Sequence, residues 1–138
     1  MRLNPDLVRS RCEEIEAAIS RLEQFRSVSR EQFLADQDKL DIACYRLLVA
    51  IEAALALCFH VSAKQLQRVP EEYAACFSAL EQAGLISQDL AARLRQMARF
   101  RNLLIHVYWK IDYGQIYDMI QTQLEDLRAF AAAIVRLL

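Results

Sequence analysis

Residues 47–59 read LLVAIEAALALCF, an apolar stretch interrupted by a single acid, Glu52. As a helix, this stretch would be apolar on nearly every side, which is typical of a helix at the centre of a bundle. We therefore predict one long central helix over about residues 31–61, and we expect Glu52 to have a polar partner or an exposed side. One face of this helix carries Leu40, Cys44, Leu47, Ile51, Leu55 and Cys58.

The composition of the whole chain favours helices over strands. The sequence is 55% hydrophobic and has only two glycines and two prolines in 138 residues, which leaves little material for turns. Alanine, leucine, glutamate, glutamine and arginine dominate, and these are strong helix formers. β-branched residues are sparse and do not alternate with polar ones for long. We predict an all-α fold in a single domain that spans residues 1–138.

Local start and stop signals divide the chain into five helices. Polar residues that can cap a helix precede most of the apolar patterns, and a proline and a glycine bound one short helix. The N-cap candidates are Asn4, Ser29, Ser87 and Asp112, and the short helix is bounded by Pro70 and Gly84. The final helix has an apolar seam of Ile116, Ile120, Leu124, Leu127, Ala131, Ile134 and Leu138. These signals predict an antiparallel bundle of four main helices plus one short helix.

Charge is distributed unevenly, although the formal net charge is only −1. Such a small net charge excludes binding to polyanions by the overall charge of the chain. Between residues 90 and 111, however, the chain has five basic residues and no acidic one. This segment is interpreted either as a solvated basic helix face or as part of a functional surface.

The cysteines and the N-terminal residues favour a cytoplasmic protein. The four cysteines have no C-x-x-C spacing and no ligand-like pairing with the two histidines, so we expect reduced thiols, no metal and no cofactor. The N-terminal sequence MRLNPDLVRSRCEEIE is amphipathic and charged, unlike a secretory leader. We find no run of about 18 apolar residues and therefore expect no membrane span.

Within the stretch RFRNLLIHVYWKID at residues 99–112, the eight residues 101–108 include four polar side chains, Arg101, Asn102, His106 and Tyr108, among apolar ones. Asn102 and His106 are four residues apart and share a helix face. Arg101 and His106 are separated by about 140° around the helix, at 100° per residue. The long side chains of Arg101 and Tyr108 can converge on a phosphate near His106 if the helix end loosens. A second copy of the chain across a two-fold axis would complete such a site more easily.

These residue types suit metal-independent cleavage of an RNA phosphodiester. Histidine can take or give a proton near neutral pH, and the arginine fork matches phosphate oxygens. The 2′-hydroxyl of RNA would be the nucleophile, and Asn102 could orient the histidine or bind the phosphate. On spacing alone a structural interpretation is favoured, in which Arg101 and His106 are surface residues and Tyr108 and Trp109 are capping aromatics.

The segment from Arg101 to Tyr108, RNLLIHVY, resembles the R-x-x-x-x-H-x-Y motif of the HEPN superfamily, and in particular its HepT-like toxins. Four flanking segments are also similar to that family and follow in the expected order along nearly the whole chain: VAIEAAL, VPEEYAACFSALEQAGLIS, FRNLLIHVYWKID and LEDLRAF. The motif alone is a weak signal, whereas the motif with its flanks favours the functional interpretation.

The resemblance implies a HEPN fold and a homodimer whose two motifs line a shared cleft. It implies a ribonuclease toxin with Arg101, Asn102 and His106 as catalytic residues and 2′,3′-cyclic phosphate products. It also implies an MntA-like nucleotidyltransferase antitoxin that transfers AMP onto Tyr108 and so silences the nuclease. RNA binding would then depend on the basic residues between positions 90 and 111, namely Arg93, Arg95, Arg99 and Lys110.

Two other functions are compatible with the sequence. The first is a non-catalytic helical subunit that binds substrate for, or assembles with, a minimal nucleotidyltransferase. HEPN relatives of that kind tend to lack the Arg-His motif, which this chain has intact. The second is a purely structural dimerisation bundle.

Overall fold

The computed structural model describes residues 2–138, which form seven α-helices and one 3-10 turn and contain no β-strand. The all-α prediction is confirmed. The helices are α1 (Pro5–Glu23), α2 (Arg30–Leu34), α3 (Gln37–Gln65), α4 (Tyr73–Gln82), α5 (Gln88–His106), α6 (Tyr113–Thr122) and α7 (Leu124–Val135), with the 3-10 turn at Tyr108–Lys110.

Helix α3 lies at the centre of the bundle and contacts each of the other six α-helices. Its most extensive packing is with α1. Three small residues, Ala50, Ala53 and Ala54, are buried on α3 and let neighbouring backbones approach closely. The predicted central position of the stretch 47–59 is confirmed, because buried residues lie on several sides of the helix.

The length and composition of α3 correct one expectation from the sequence. By those two criteria alone the helix could cross a membrane, so the prediction that no sufficiently apolar stretch exists was wrong. In the structure, half of its most apolar 18-residue stretch is buried inside the bundle. The apolarity of α3 is accounted for by its position in the core.

The predicted central helix at 31–61 is wrong at both ends. The chain forms the short helix α2, breaks at Asp36, and then starts α3. The Asp36 carboxylate accepts hydrogen bonds from the backbone N–H groups of Asp38 and Lys39 and pairs with the Lys39 ammonium at 2.7 Å. These bonds to Lys39 hold the pKa of Asp36 below its usual range. An internal N-cap of this strength restarts the helix, which then continues to Gln65.

The predicted final helix is two helices, α6 and α7, separated at Gln123. Gln123 has φ −118° and ψ −2°, well away from the α-helical mean of about −63° and −42°. The Thr122 hydroxyl donates to the carbonyl of Asp118 at 2.9 Å, a local bond that disturbs a regular helix. Five residues of the predicted apolar seam are buried, whereas Ala131 is half-buried and Leu138 is exposed.

The predicted caps are confirmed in detail, with one shift. The side chains of Asn4, Ser29, Ser87 and Asp112 all accept backbone N–H groups at the starts of their helices. The short helix α4 begins at Tyr73, three residues later than the predicted start at Pro70.

Gly84 ends the α4 segment as predicted. Its φ of +76° lies in the left-handed region that glycine adopts without strain. The N–H of Leu85 bonds the carbonyl of Leu80 at 3.0 Å, and the N–H of Gly84 bonds that of Glu81 at 2.9 Å. This pair of bonds is a Schellman motif, which turns the chain toward α5.

An ion-pair network ties the first helix to the last. Arg128 of α7 donates to Glu16 and Glu23 of α1 at 2.7–3.1 Å and to Glu125 of its own helix at 2.8 Å. The hydrogen bonds to Arg128 hold the pKa of Glu16 and of Glu23 below the usual range. Because these carboxyls bind protons more weakly in the folded state than in the unfolded chain, their stabilisation is lost as pH falls through their folded pKa values.

We predict that Arg128→Met lowers the free energy of unfolding at pH 7 by about 1 kcal/mol, the upper range for exposed ion pairs. The difference from wild type should shrink as the pH falls below about 4.3, the ordinary pKa of glutamate, since protonated Glu16 and Glu23 no longer pair in either protein. Urea unfolding followed by far-UV circular dichroism between pH 7 and pH 3 measures both quantities. A difference that stays constant over this range would contradict the assignment.

Candidate active site

The four residues singled out in the sequence lie at the end of α5 and just beyond it. Arg101, Asn102 and His106 are on α5, and His106 is its last residue. Val107, with φ −135° and ψ 44°, ends the helix, and Tyr108 begins the 3-10 turn. The helix therefore ends directly after His106, and Tyr108 lies beyond it, outside the set of residues that line the adjacent cleft.

A cleft of about 670 Å³ separates this end of α5 from the start of α4. One side of the cleft is a basic wall formed by Arg99 and Arg101 of α5. The opposite side is an acidic lip formed by Glu71 and Glu72, which precede α4. The lining residues are Glu71, Glu72, Tyr73, Ala74, Ala98, Arg99, Arg101, Asn102 and His106. The structure thus brings together the three predicted catalytic residues and one of the predicted RNA-binding residues.

Arg101 is held by side chains from three helices. Its Nε donates to the Glu52 carboxylate of α3, and its Nη1 donates to Oδ1 of Asn102 at 3.1 Å. The guanidinium also lies over the ring of Tyr73 on α4, with Cζ 4.5 Å from the ring centroid. Only 12% of the Arg101 side chain is exposed, so its orientation is well defined.

Asn102 and His106 face solvent on the cleft. Both are exposed, and they lie one helical turn apart on the same side of α5. The other histidine, His60, plays a different part: its Nε2 accepts the backbone N–H of Asn4 at 2.9 Å. Burial lowers the pKa of His60, which favours the neutral form that can accept this bond. Of the two histidines, His106 is therefore the one that a ligand in the cleft can contact.

Tyr108 is accessible to a large partner. The residue is 67% exposed, and its ring packs edge-on against that of Trp109, which is 68% exposed, with centroids 5.3 Å apart. Tyr117, by contrast, donates its hydroxyl to the carbonyl of Val28 at 2.7 Å, and Tyr113 is partly buried against the core. Both of these last two tyrosines have a packing role.

The remaining basic residues are divided between free and paired positions. Arg99 lines the cleft and Lys110 is exposed on the 3-10 turn. Arg93 pairs with Asp126 at 2.9 Å, and Arg95 pairs with Glu81 at 2.9 Å and also donates to Ser78. The structure therefore does not bring Arg93 and Arg95 to the cleft.

Two site residues were not identified as such from the sequence. Glu52 was expected to have a polar partner or an exposed side; its partner is Arg101, and 43% of its side chain is exposed. A lone carboxylate within an apolar core helix was the signal for it. Nothing in the sequence around Tyr73, which follows two acids in the segment EEY, indicated a role at the site. Its contact with Arg101 depends on how α4 packs against α5. Among residues 2–138 no group of three or more His, Cys, Asp or Glu side chains is placed to hold a metal ion.

The chain combines an all-helical bundle with an Arg-Asn-His set at the end of one helix and an exposed tyrosine two residues beyond it, in agreement with its resemblance to the HEPN superfamily. The family model of the HepT-like ribonucleases matches residues 15–134, and the chain belongs to that family.

Named relatives agree with this family. The chain is 26% identical over 129 residues to the mRNA nuclease HepT of Shewanella oneidensis, covering 94% of this chain and 96% of the relative. The solved structure of the tri-AMPylated Shewanella oneidensis HEPN toxin in complex with MNT antitoxin matches with a TM-score of 0.87 and 26% identity, covering 95% of this chain and 98% of that one. A toxin–antitoxin crystal structure with AMP-PNP matches with a TM-score of 0.85 and 26% identity, over 94% and 98% of the two chains.

We predict that tyrosine-selective nitration labels Tyr108 early, together with Tyr45, which is similarly exposed at 61%. Tyr117 should react last because its hydroxyl is bonded to Val28 and its ring is packed. Peptide mass spectrometry after brief treatment with a limiting amount of reagent gives the order of labelling. Labelling of Tyr117 before Tyr108 would contradict the exposure described above, and Tyr45 serves as the internal reference for an exposed ring.

Proposed function

We propose that this protein is the toxin of a toxin–antitoxin pair and acts as a metal-independent endoribonuclease. The observation that carries the proposal is the placement of Arg101, Asn102 and His106 on one open cleft, in a chain that belongs to the HepT-like ribonuclease family. The naming of its Shewanella relative as an mRNA nuclease supports RNA as the substrate.

The residues have distinct roles in the proposed reaction. The RNA 2′-oxygen attacks the adjacent phosphorus, the bond from phosphorus to the 5′-oxygen breaks, and the products are a 2′,3′-cyclic phosphate and a 5′-hydroxyl end. His106 takes or gives a proton in this exchange. Arg101 stabilises the extra negative charge on the phosphate oxygens, because its planar fork matches their geometry. Asn102, bonded to Arg101, adds a further polar contact on the same face.

A second copy of the chain would complete the site. One chain supplies one suitably placed histidine, whereas the reaction needs a base for the 2′-hydroxyl and an acid for the leaving oxygen. A two-fold homodimer that joins the ends of two α5 helices would provide two His106 side chains. Ile105 and Trp109, large apolar residues exposed at this end of the molecule, support an interface there.

RNA would approach along the basic wall of the cleft. Arg99 and Lys110 are free to contact phosphates, whereas Arg93 and Arg95 would have to leave their acidic partners first. The acids Glu71 and Glu72 on the opposite lip repel phosphate and so restrict its path to the α5 side. With a net charge of −1, affinity must come from this local arrangement. We place the protein in the cytoplasm, where such RNA is present.

Silencing would come from an MntA-like nucleotidyltransferase antitoxin that modifies Tyr108. The tyrosine oxygen attacks the α-phosphorus of ATP, an ester bond to AMP forms, and pyrophosphate leaves. The tri-AMPylated Shewanella toxin, bound to MNT antitoxin, supports AMP as the modification. The exposure of Tyr108 supports this tyrosine as the acceptor. The attached phosphate would compete with RNA for the basic wall, and the nucleoside would fill the cleft.

We predict that His106→Ala and Arg101→Ala each lower RNA cleavage by at least about 10²-fold, the usual contribution of a general acid–base or an oxyanion-stabilising group. The assay uses purified protein and defined RNAs in excess EDTA and identifies 2′,3′-cyclic phosphate ends. His60→Gln is the matched control, because glutamine keeps an acceptor for Asn4 and leaves the cleft unchanged.

Equal cleavage by all four proteins would assign the activity to a contaminant and reject the nuclease. If none of them cleaves RNA and expression of wild type and of both alanine variants allows equal growth, the chain is instead the non-catalytic partner of a nucleotidyltransferase. A requirement for added divalent metal would reject the metal-independent mechanism.

We predict that Tyr108→Phe retains RNA cleavage and toxicity but escapes silencing by the antitoxin, because the acceptor hydroxyl is lost while the ring and cleft are kept. Mass spectrometry after incubation with ATP and the antitoxin measures AMP transfer, and growth on co-expression measures rescue. Tyr45→Phe is the control for an exposed tyrosine on another face and should be modified and rescued like wild type. Full rescue of Tyr108→Phe would show that another tyrosine or direct occlusion is responsible.

A further inference from the structure

We propose that Glu52 and Tyr73 form a positioning pair for Arg101, setting the edge that its guanidinium presents to the RNA phosphate. The inference rests on the proposed function for the role of Arg101, but its structural part can be tested separately. Neither residue belongs to the R-x-x-x-x-H-x-Y segment, and they come from two different helices, α3 and α4.

The donor atoms of Arg101 indicate which edge is free. An arginine has five N–H donors in one plane. The bond from Nε to Glu52 and the bond from Nη1 to Asn102 use two of them. Within residues 2–138 this leaves the second Nη1 hydrogen and both Nη2 hydrogens for a ligand. One Nη2 hydrogen lies on the Nη1–Nη2 edge, at the end of the guanidinium, where a phosphate oxygen can accept it.

Tyr73 fixes the plane of the guanidinium, whereas Glu52 fixes its rotation within that plane. The Tyr73 ring covers one face of the Arg101 side chain at 4.5 Å. Phe59 of α3 in turn packs edge-on against Tyr73, with centroids 5.5 Å apart and planes at 77°. Glu52 and Phe59 are seven residues apart and therefore lie on the same face of α3. One face of the central helix thus supports both contacts.

The alternative role for Glu52 is competition, in which its carboxylate occupies the place of the RNA phosphate. Glu52 would compete with a phosphate at the Nε–Nη2 edge but not with one at the Nη1–Nη2 edge. Its carboxylate accepts from Nε, the donor nearest the aliphatic part of the side chain, and so leaves the Nη1–Nη2 edge to a ligand. With 43% of its side chain exposed, Glu52 can keep this contact while a ligand binds the other edge. The geometry favours positioning.

The chain contains a matched control for this arrangement. Arg30 of α2 pairs with Asp118 of α6 at 2.9 Å and lies over the ring of Tyr117 at 5.4 Å. It therefore has the same three components, a carboxylate, a guanidinium and a tyrosine, and none of its residues lines the cleft. Asp118→Leu removes a carboxylate of the same kind without touching Arg101, so its effect measures the general cost of losing such a pair.

The experiment compares Glu52→Leu, Glu52→Gln and Asp118→Leu by two measurements. The first is kcat and KM for cleavage of a defined RNA. The second is the Nε–Hε NMR signal of Arg101, assigned by its loss in Arg101→Lys, with its heteronuclear NOE as a measure of rigidity. The NMR measurement needs neither RNA nor activity, and it responds to the orientation of Arg101 directly.

We expect Glu52→Leu to lower kcat by about 10²-fold, the effect of a misplaced catalytic group, with little change in KM. Its Arg101 signal should also lose rigidity. Glu52→Gln keeps an acceptor for Nε and should restore most of both properties. Asp118→Leu should match wild type in both. Tyr73→Leu should act like Glu52→Leu, because it removes the ring that covers the guanidinium.

Three outcomes would overturn the proposal. A higher kcat or tighter RNA binding in Glu52→Leu would assign Glu52 as a competitor of the phosphate. An equal loss of activity in Asp118→Leu would attribute the effect to general stability. An unchanged Arg101 signal in Glu52→Leu would show that Glu52 does not orient the side chain. If wild type cleaves no RNA, the proposed function fails, while the NMR comparison still decides the positioning role.

Discussion

The architecture depends on the need to bury α3 on nearly every side. A helix without a polar face must be covered by neighbours all round, and all six other α-helices contact it. Each of those helices then needs only one apolar stripe, which explains their amphipathic sequences. The buried alanines at positions 50, 53 and 54 allow close approach, while large side chains fill the remaining space, as where Phe77 of α4 meets Phe130 of α7 edge-on at 5.4 Å.

Periodicity and caps made most of this fold predictable from the sequence, because both are local properties. Asn4, Ser87 and Asp112 cap their helices as their positions indicated. The breaks at Asp36 and Gln123 were missed for a physical reason. Each lies within a segment of continuing helical pattern, and the choice between a bend and a straight helix depends on how the flanking pieces pack. The resemblance to the HepT-like family, drawn from the motif and its flanks, is confirmed by the family match.

From the sequence, only those site residues that lie close together on a single helix, α5, could be predicted. Arg101, Asn102 and His106 are close in sequence, and their grouping on one cleft is confirmed; their catalytic role remains a proposal. The contacts of Arg101 with Glu52, and the ion pairs of Arg93 with Asp126 and of Arg95 with Glu81, join residues 14 to 49 positions apart. Such pairings depend on the register between helices, which a single sequence does not specify.

The presence of Glu52 on the central helix couples the functional surface to the interior. Its neighbours along the chain, Ile51 and Ala53, are buried in the core, and its carboxylate contacts Arg101 at the cleft. A substitution that shifts α3 by a fraction of an ångström would therefore be transmitted to the guanidinium through a single side chain. The packing around Glu52 therefore determines the position of a side chain on the cleft as well as filling the interior.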